Sequence, residues 1–422
     1  MQIVPVCRAR NFLFKERVDR IMKKYALAGA SSRCYEMFAK PIGQSFRDVA
    51  VICGIFDINR TRAEYIKASI NYEIKVFDDF DTMVGETVPD VVIVATVDRY
   101  HCEYIIRALD YGCDVITEKP MAISVEDCRA ILEAEKRTGK KVIVAFNCRY
   151  MPYAARIKEL IQEGTAGKIL SVDFEYFLDT SHGADYYRRW HRRMIDSGGL
   201  LVHKSTHHFD LVNWWLDDEP QEVYANGMLG FYGSNGNQCG ERCSKCSCFN
   251  TCEFAVNYKN DTFLKEFYFD AEKEGGYFRD GCVFSGDIDI YDSMSVTVRY
   301  SRGSLLTYSL IAFSPYEGWR ISINGTGGRL EAAEYHSGHR ADEPSNYIYF
   351  YNRKGEMVTY DIRKSAGSHG GGDEKIQRML FREDVRDPLG RAADSYEGAM
   401  SAMIGICANK SIIEKKPFTI KI

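Results

Sequence analysis

The chain has 422 residues, 45% of them hydrophobic, enough for two domains with a full core in each. Its 55 Lys+Arg against 59 Asp+Glu give a formal charge of −4, without the basic excess of a nucleic-acid-binding protein. No apolar run approaches the roughly 20 residues that cross a bilayer, and charges interrupt the opening MQIVPVCRARNFLFKERVDR where a secretory signal would be apolar, so a cytoplasmic protein with no membrane partner is expected.

Regular alternation begins at Lys24, leaving 1–23 as an N-terminal extension. KYALAGA is a short apolar strand ending in small residues, and residues 32–47 are helical in character. VAVICGIFD is the next apolar run, TRAEYIKASI a helix, IKVFDDF a brief strand and PDVVIVAT a third, strongly apolar strand. YHCEYIIRALDYG repeats apolar residues at helical spacing and stops at Gly112. CDVITEKP is a strand closed by proline, VEDCRAILEAEKRTG an amphipathic helix and KKVIVAFNCRY a further strand. Non-alternating strands separated by helices predict a parallel sheet covered on both faces, an α/β domain over 24–148. Its ligand site belongs beyond the carboxyl ends of the strands.

Gly29-Ala30-Ser31-Ser32-Arg33-Cys34 follows the first strand where a dinucleotide fold carries G-x-G-x-x-G, and only the first glycine is present. A tight turn and a following helix, whose N-terminal amides suit a pyrophosphate, make Gly29, Ser31, Ser32 and Arg33 cofactor candidates. An ordinary strand–loop–helix turn accounts for the segment equally well. Asp57 ends the second strand, 28 residues after Gly29. A carboxylate there accepts both ribose hydroxyls of an adenosine and repels a 2′-phosphate, which favours NAD; Arg60 and Arg62 keep NADP as the alternative.

Glu118-Lys119-Pro120 closes the strand CDVIT. Proline disfavours helix at Lys119, so the lysine projects from a strand end into the crevice. Together with Ala95-Thr96, His101 and the FNCRY run at 146–150, this tripeptide resembles the Gfo/Idh/MocA oxidoreductases, from Lys24 to the C-terminus. The resemblance implies an N-terminal Rossmann domain and an α+β domain with a large, mostly antiparallel open sheet. It places Glu118, Lys119 and Pro120 beside the nicotinamide, with Thr96, His101 and Asn147 as further cofactor contacts. It also implies a carbohydrate-like substrate (a sugar, sugar derivative or cyclitol) and a homodimer or homotetramer, because open sheets in this family pair face to face.

The family's second pattern is a glycine pair followed by D-x-G-x-H-x-x-D. Here Gly198-Gly199 precede His203, Ser205, His207 and Asp210: the histidine and final aspartate match, while the earlier aspartate is His203 and its glycine Ser205. His203 and His207 are four apart and on one helix would share a face. A helix face with satisfied hydrogen bonds and a metal-binding pair are the alternatives. Upstream, the run Asp185 to Arg193 combines aromatics, which suit sugars, with arginines, which suit carboxylates and phosphates. Trp190, His191 and Arg192 are expected substrate contacts, joined by Arg149, Lys204 and Asp210; a solvated basic helix is the plain alternative. Lys119 is the expected base, since a cationic ring and a desolvated pocket both oppose its ammonium form. His207 relays the proton, and His203 is the third catalytic candidate.

After FDLVNWWLDD the chain is strand-rich, with hairpin turns at Arg302-Gly303, Gly325 and Lys354-Gly355. SVDFEYFLD adds a strand, and AADSYEGAMSAMIGICANKSI is a long helix returning towards the Rossmann domain. Residues 149–422 thus form the substrate and oligomerisation domain. Residues 367–372 read as a connector, with a phosphate loop as the alternative. Of fourteen cysteines, scattered ones such as Cys53 and Cys148 read as small buried hydrophobes. An insertion at 235–258 holds five more. A structural zinc on Cys239, Cys243, Cys246 and Cys252 is expected, with Cys248 able to replace one; an iron–sulfur cluster and a metal-free loop are the alternatives.

Three activities compete. The first is NAD(P)-dependent oxidation of a secondary hydroxyl. The second follows relatives that retain NAD, oxidise a sugar transiently and cleave a glycoside by elimination. The third, a non-catalytic cofactor sensor, has no need of a base beside the nicotinamide.

Overall fold

The computed structural model describes residues 22–70, 72–382 and 384–422, so the expected extension lies outside it except for its last two residues. Strands β1 (Lys23–Ala28), β2 (Ala50–Phe56), β3 (Lys75–Phe77), β4 (Val91–Val94), β5 (Asp114–Thr117) and β6 (Val142–Val144) form a parallel sheet in the order β6-β5-β4-β1-β2-β3. Chain order reverses between β4 and β1, where such sheets open a ligand crevice. β4, Val-Val-Ile-Val, is buried at every position, because helices cover both faces.

The second sheet contains β7 (Ile169–Asp179), β8 (Pro220–Met228), β9 (Ser293–Tyr300), β10 (Leu305–Ser314), β11 (Gly318–Gly325), β12 (Gly328–Tyr335), β13 (Ser345–Asn352) and β14 (Met357–Arg363). Only β7 and β10 pair in parallel. β10 alternates, burying Leu306, Tyr308, Leu310 and Ala312 while exposing Leu305 and Ile311 on the opposite face. On the buried side, Trp215 of the helix Thr206–Leu216 stacks on Phe174 and Trp319. The C-terminal segment serves both sheets: β15 (Ala393–Asp394) extends the β6 edge, and β16 (Phe418–Thr419) pairs with β8. Between them runs the helix Ser395–Glu414, opened by a capping box of Asp394 and Glu397.

Residues 229–292, between β8 and β9, form loops and short helices, among them Lys265–Phe269 and Glu272–Gly275, instead of strands. Here Cys239 and Cys248 are joined in a disulfide. That bond corrects the expected zinc set, because Cys239 has no thiolate left to give. Cys243, Cys246 and Cys252 are free, and among the described residues no three His, Cys, Asp or Glu side chains gather to hold a metal ion. Cys53 and Cys148 are only partly buried, not core residues as expected. No described helix is long and apolar enough to cross a membrane.

Candidate active site

β1 runs into Gly29 at φ +100°, where a Cβ would stand 2.7 Å from the Ala95 carbonyl oxygen. Glycine alone lets the loops after β1 and β4 approach this closely. Ser31 caps the next helix: its hydroxyl accepts from the Cys34 N–H and donates to the Ala95 carbonyl. The Asp57 carboxylate accepts from the Ala30 and Asn59 N–H groups and from Arg62. A side-chain-free turn, a helix N-terminus and an acidic strand end fit the pyrophosphate and ribose of NAD.

Arg33 pairs with Glu118 at 2.8 Å and with Asp373 at 2.9 Å, and Asn147 donates to the same Asp373 at 2.6 Å. These contacts tie the first loop, the end of β5 and the helix Gly372–Phe381 together. The Lys119–Pro120 peptide is cis. His101 lies 2.8 Å from the Pro120 carbonyl through Nδ1 and 3.3 Å from the Thr96 carbonyl through Nε2, so it braces the turn that presents Lys119.

Lys119 Nζ donates to the His203 carbonyl at 2.9 Å and stands 3.5 Å from His203 Nε2. The other ring nitrogen of His203 is 2.5 Å from Asp98 Oδ2, with both groups buried. Burial pulls the Lys119 ammonium down to about 8 against the opposing Asp98 carboxylate, and the Lys204 charge adds to the lowering. Burial likewise pushes the Asp98 carboxyl well up and, with Lys119, the His203 imidazole well down. Both directions disfavour charge on this pair beside the amine.

Gly198 and Gly199, at φ 68° and 73°, open the short helix Leu200–His203. It ends at His203, and a new helix starts at Thr206, so the expected common face for His203 and His207 is not formed. Lys204 and Ser205 turn the chain between them. His207 opens instead, beside Lys204, into a cavity of about 370 Å³ that also touches Tyr176, His182 and Glu317. Burial holds the His207 imidazole well below its ordinary value, and its Nδ1 has no protein partner. Although burial opposes it, Lys204 is held above its ordinary value by Tyr186 and Glu317. Two lysines thus stand near each other with opposite tendencies, one drifting to the free amine and one kept as a cation.

Comparison with known proteins bears on the same two regions. The model of the Gfo/Idh/MocA oxidoreductase family's NAD-binding Rossmann fold matches residues 23–146, and that of its C-terminal alpha/beta domain matches 158–419. The chain is a member of the Gfo/Idh/MocA oxidoreductase family. It is 39% identical to the oxidoreductase YteT of Bacillus subtilis (strain 168), over 95% of this chain and 98% of that one. Myo-inositol 2-dehydrogenase of Thermotoga maritima is 21% identical, over 87% and 91%. The fold also matches levoglucosan dehydrogenase in complex with NADH and levoglucosan, with a TM-score of 0.67 at 18% identity, covering 94% of this chain and 99% of that one.

Not every expected site residue reaches the pocket of this Gfo/Idh/MocA protein. Arg149 and Asp210, expected at the substrate, are spent on each other in a two-pronged pair at 2.8 and 2.6 Å, and both side chains are 1% exposed. Arg192 turns to Asp287 of the inserted segment at 2.7 Å. His191 does reach the site: it stacks on Trp190 and lies 4.4 Å, ring to ring, from His203. Asp98, Arg189 and Glu317 escaped the sequence reading. Asp98 sits two residues past Thr96, and Arg189 immediately precedes Trp190, so proximity in sequence was the available signal. Their partners, His203 for Asp98, Tyr277 for Arg189 and His182 for Glu317, lie far off in the sequence and left no local trace.

Proposed function

We propose that this oxidoreductase oxidises a secondary hydroxyl of a sugar, sugar derivative or cyclitol, using NAD. The observation that carries the reading is Lys119: a half-buried amine lowered to about 8, at the end of a Rossmann strand, backed by an imidazole that Asp98 anchors. Bound NAD supplies the hydride acceptor. The free amine of Lys119 takes the hydroxyl proton, and His203, anchored by Asp98, keeps Nζ in position. His207 and the permanent cation of Lys204 bind neighbouring hydroxyls, with the Trp190–His191 stack beside them. NAD is preferred over NADP because Asp57 already neutralises Arg62, the cation a 2′-phosphate would need. The exposed sheet face with Leu305, Ile311 and Tyr224 is the proposed subunit interface of a dimer or tetramer.

The test supplies NAD with a panel of cyclitols, sugars and sugar acids and follows NADH. Lys119→Ala should abolish NADH formation while NAD still binds; turnover equal to the native protein would remove the assignment. Redox-neutral glycoside cleavage with retained NAD is the second reading. It is favoured by the inserted segment packing over the cofactor loop at Ser32. Sugar release without accumulating NADH would select it.

A further inference from the structure

The segment inserted between β8 and β9 reaches across to the Rossmann domain and docks on both loops of the dinucleotide crevice. Tyr268 donates its phenolic hydrogen to Ser32 Oγ and accepts from the Ser32 N–H, each at 2.9 Å. Asn59, two residues after Asp57, donates to the Ala271 carbonyl at 2.8 Å. Glu274 accepts from the Thr61 N–H and hydroxyl at 2.8 and 2.9 Å. An aromatic seam closes the contact: Phe263 stacks on Tyr35, and the fully buried Phe267 meets the Tyr65 ring edge-on at 5.2 Å.

The phenol of Tyr268 therefore lies against the first amide of the helix that follows Gly29, the seat a pyrophosphate takes in such folds. Cations surround it. The Arg279 guanidinium lies 4.4 Å over the Tyr268 ring, and Arg62 flanks the same ring at 6.0 Å. Burial would raise this phenol, yet Arg279 and Arg189 bring it below its ordinary value. Arg279 Nε and Nη1 are buried without a hydrogen-bond partner, although such groups are costly to leave unmatched. Asp185 reaches this guanidinium only through Nη2, at 3.6 Å, and a phosphate at this seat supplies acceptors for the other two nitrogens.

We propose that the inserted arm, residues 258–280, is a clamp on the dinucleotide: Tyr268 and Arg279 hold its pyrophosphate from the side opposite the helix N-terminus, and the arm must lift for the cofactor to exchange. As the arm settles over the bound dinucleotide, the phenolic oxygen gives up the Ser32 N–H to a phosphate oxygen and its O–H turns from Ser32 Oγ to the same phosphate. The clamp concerns the family's cofactor and not the substrate, so it stands whichever of the two proposed reactions the protein performs.

The experiment measures NADH release from the loaded full chain by its fluorescence, after mixing with excess ADP-ribose. Arg279→Gln and Tyr268→Phe should each speed release about tenfold, the loss expected for one charge-assisted contact. Glu274→Ala, at the exposed latch to Thr61, should also speed release while leaving the seat's chemistry untouched. Binding of adenosine, which has no phosphate, should not change in Arg279→Gln. Release rates within twofold of the native protein, tighter NADH binding by Tyr268→Phe, or equal weakening of adenosine would each overturn the clamp.

Discussion

His203 and Asp98 face each other across the interdomain cleft at 2.5 Å, one at the end of a short helix in the second domain, the other just past β4 in the first. The aspartate that the family pattern puts at position 203 is absent, yet a carboxyl group still stands behind the Lys119 amine, contributed by another part of the chain. Asp98→Asn keeps the shape but replaces the carboxylate that faces His203 Nδ1 with a neutral amide. Turnover should fall about a hundredfold or more, with NADH binding unchanged by fluorescence titration; full activity would show that the imidazole needs no anchor. His203→Asp alone sets two buried carboxylates together, so it should be less active than the same change combined with Asp98→Asn.

The lowered Lys119 gives the oxidation a definite pH dependence. With the amine half free near pH 8, its basic form is about a tenth of the total at pH 7. The rate of NADH formation should therefore climb towards alkaline pH and level off above about 9. Loss of that limb in Lys119→Arg, whose side chain stays protonated, would tie it to this residue.

Lys204 and Lys119 should separate kinetically. Lys204→Met removes the cation proposed to bind substrate hydroxyls without taking a proton. KM should rise about tenfold with the alkaline limb preserved. A fall in kcat with KM unchanged would mean that the two lysines have exchanged roles.

Arg149 and Asp210 should matter for stability more than for chemistry. Asp210→Ala removes two hydrogen bonds from a guanidinium that is 1% exposed and leaves it Glu397 at 2.9 Å, at a cost of about 3 kcal/mol. Denaturant unfolding should show that loss, while a small change would mean that water reaches the arginine.

Gly29→Ala would force a Cβ to 2.7 Å from the Ala95 carbonyl oxygen at φ +100°. Strain of about 1–3 kcal/mol should part the loops after β1 and β4 and weaken NAD binding by tenfold or more. Isothermal titration against the native protein checks this; equal affinity would mean that the loops do not form the seat.

Much of the molecule was readable because its signals are local. Continuous apolar runs between amphipathic helices mark a buried parallel sheet, alternation marks the half-covered second sheet, and Glu118-Lys119-Pro120 marks a strand end. The failures share one cause. His203 and His207 were read as a helical pair, but the chain turns at Lys204 and Ser205. Arg149 and Arg192 carry the right chemistry for a substrate, yet their charges meet Asp210 and Asp287, residues distant in sequence. Cys239 offers a metal ligand in spacing but a disulfide in three dimensions.

By itself, then, the sequence determined the two-domain plan, the dinucleotide loop and the lysine at its edge, because periodicity and short motifs act over a few residues. Only the tertiary structure decided which carboxylate anchors His203, which arginines are consumed, and that the inserted arm reaches Ser32. Those outcomes depend on burial and on distances between segments far apart in the chain, where desolvation makes each charge answer to whatever partner the fold brings within reach.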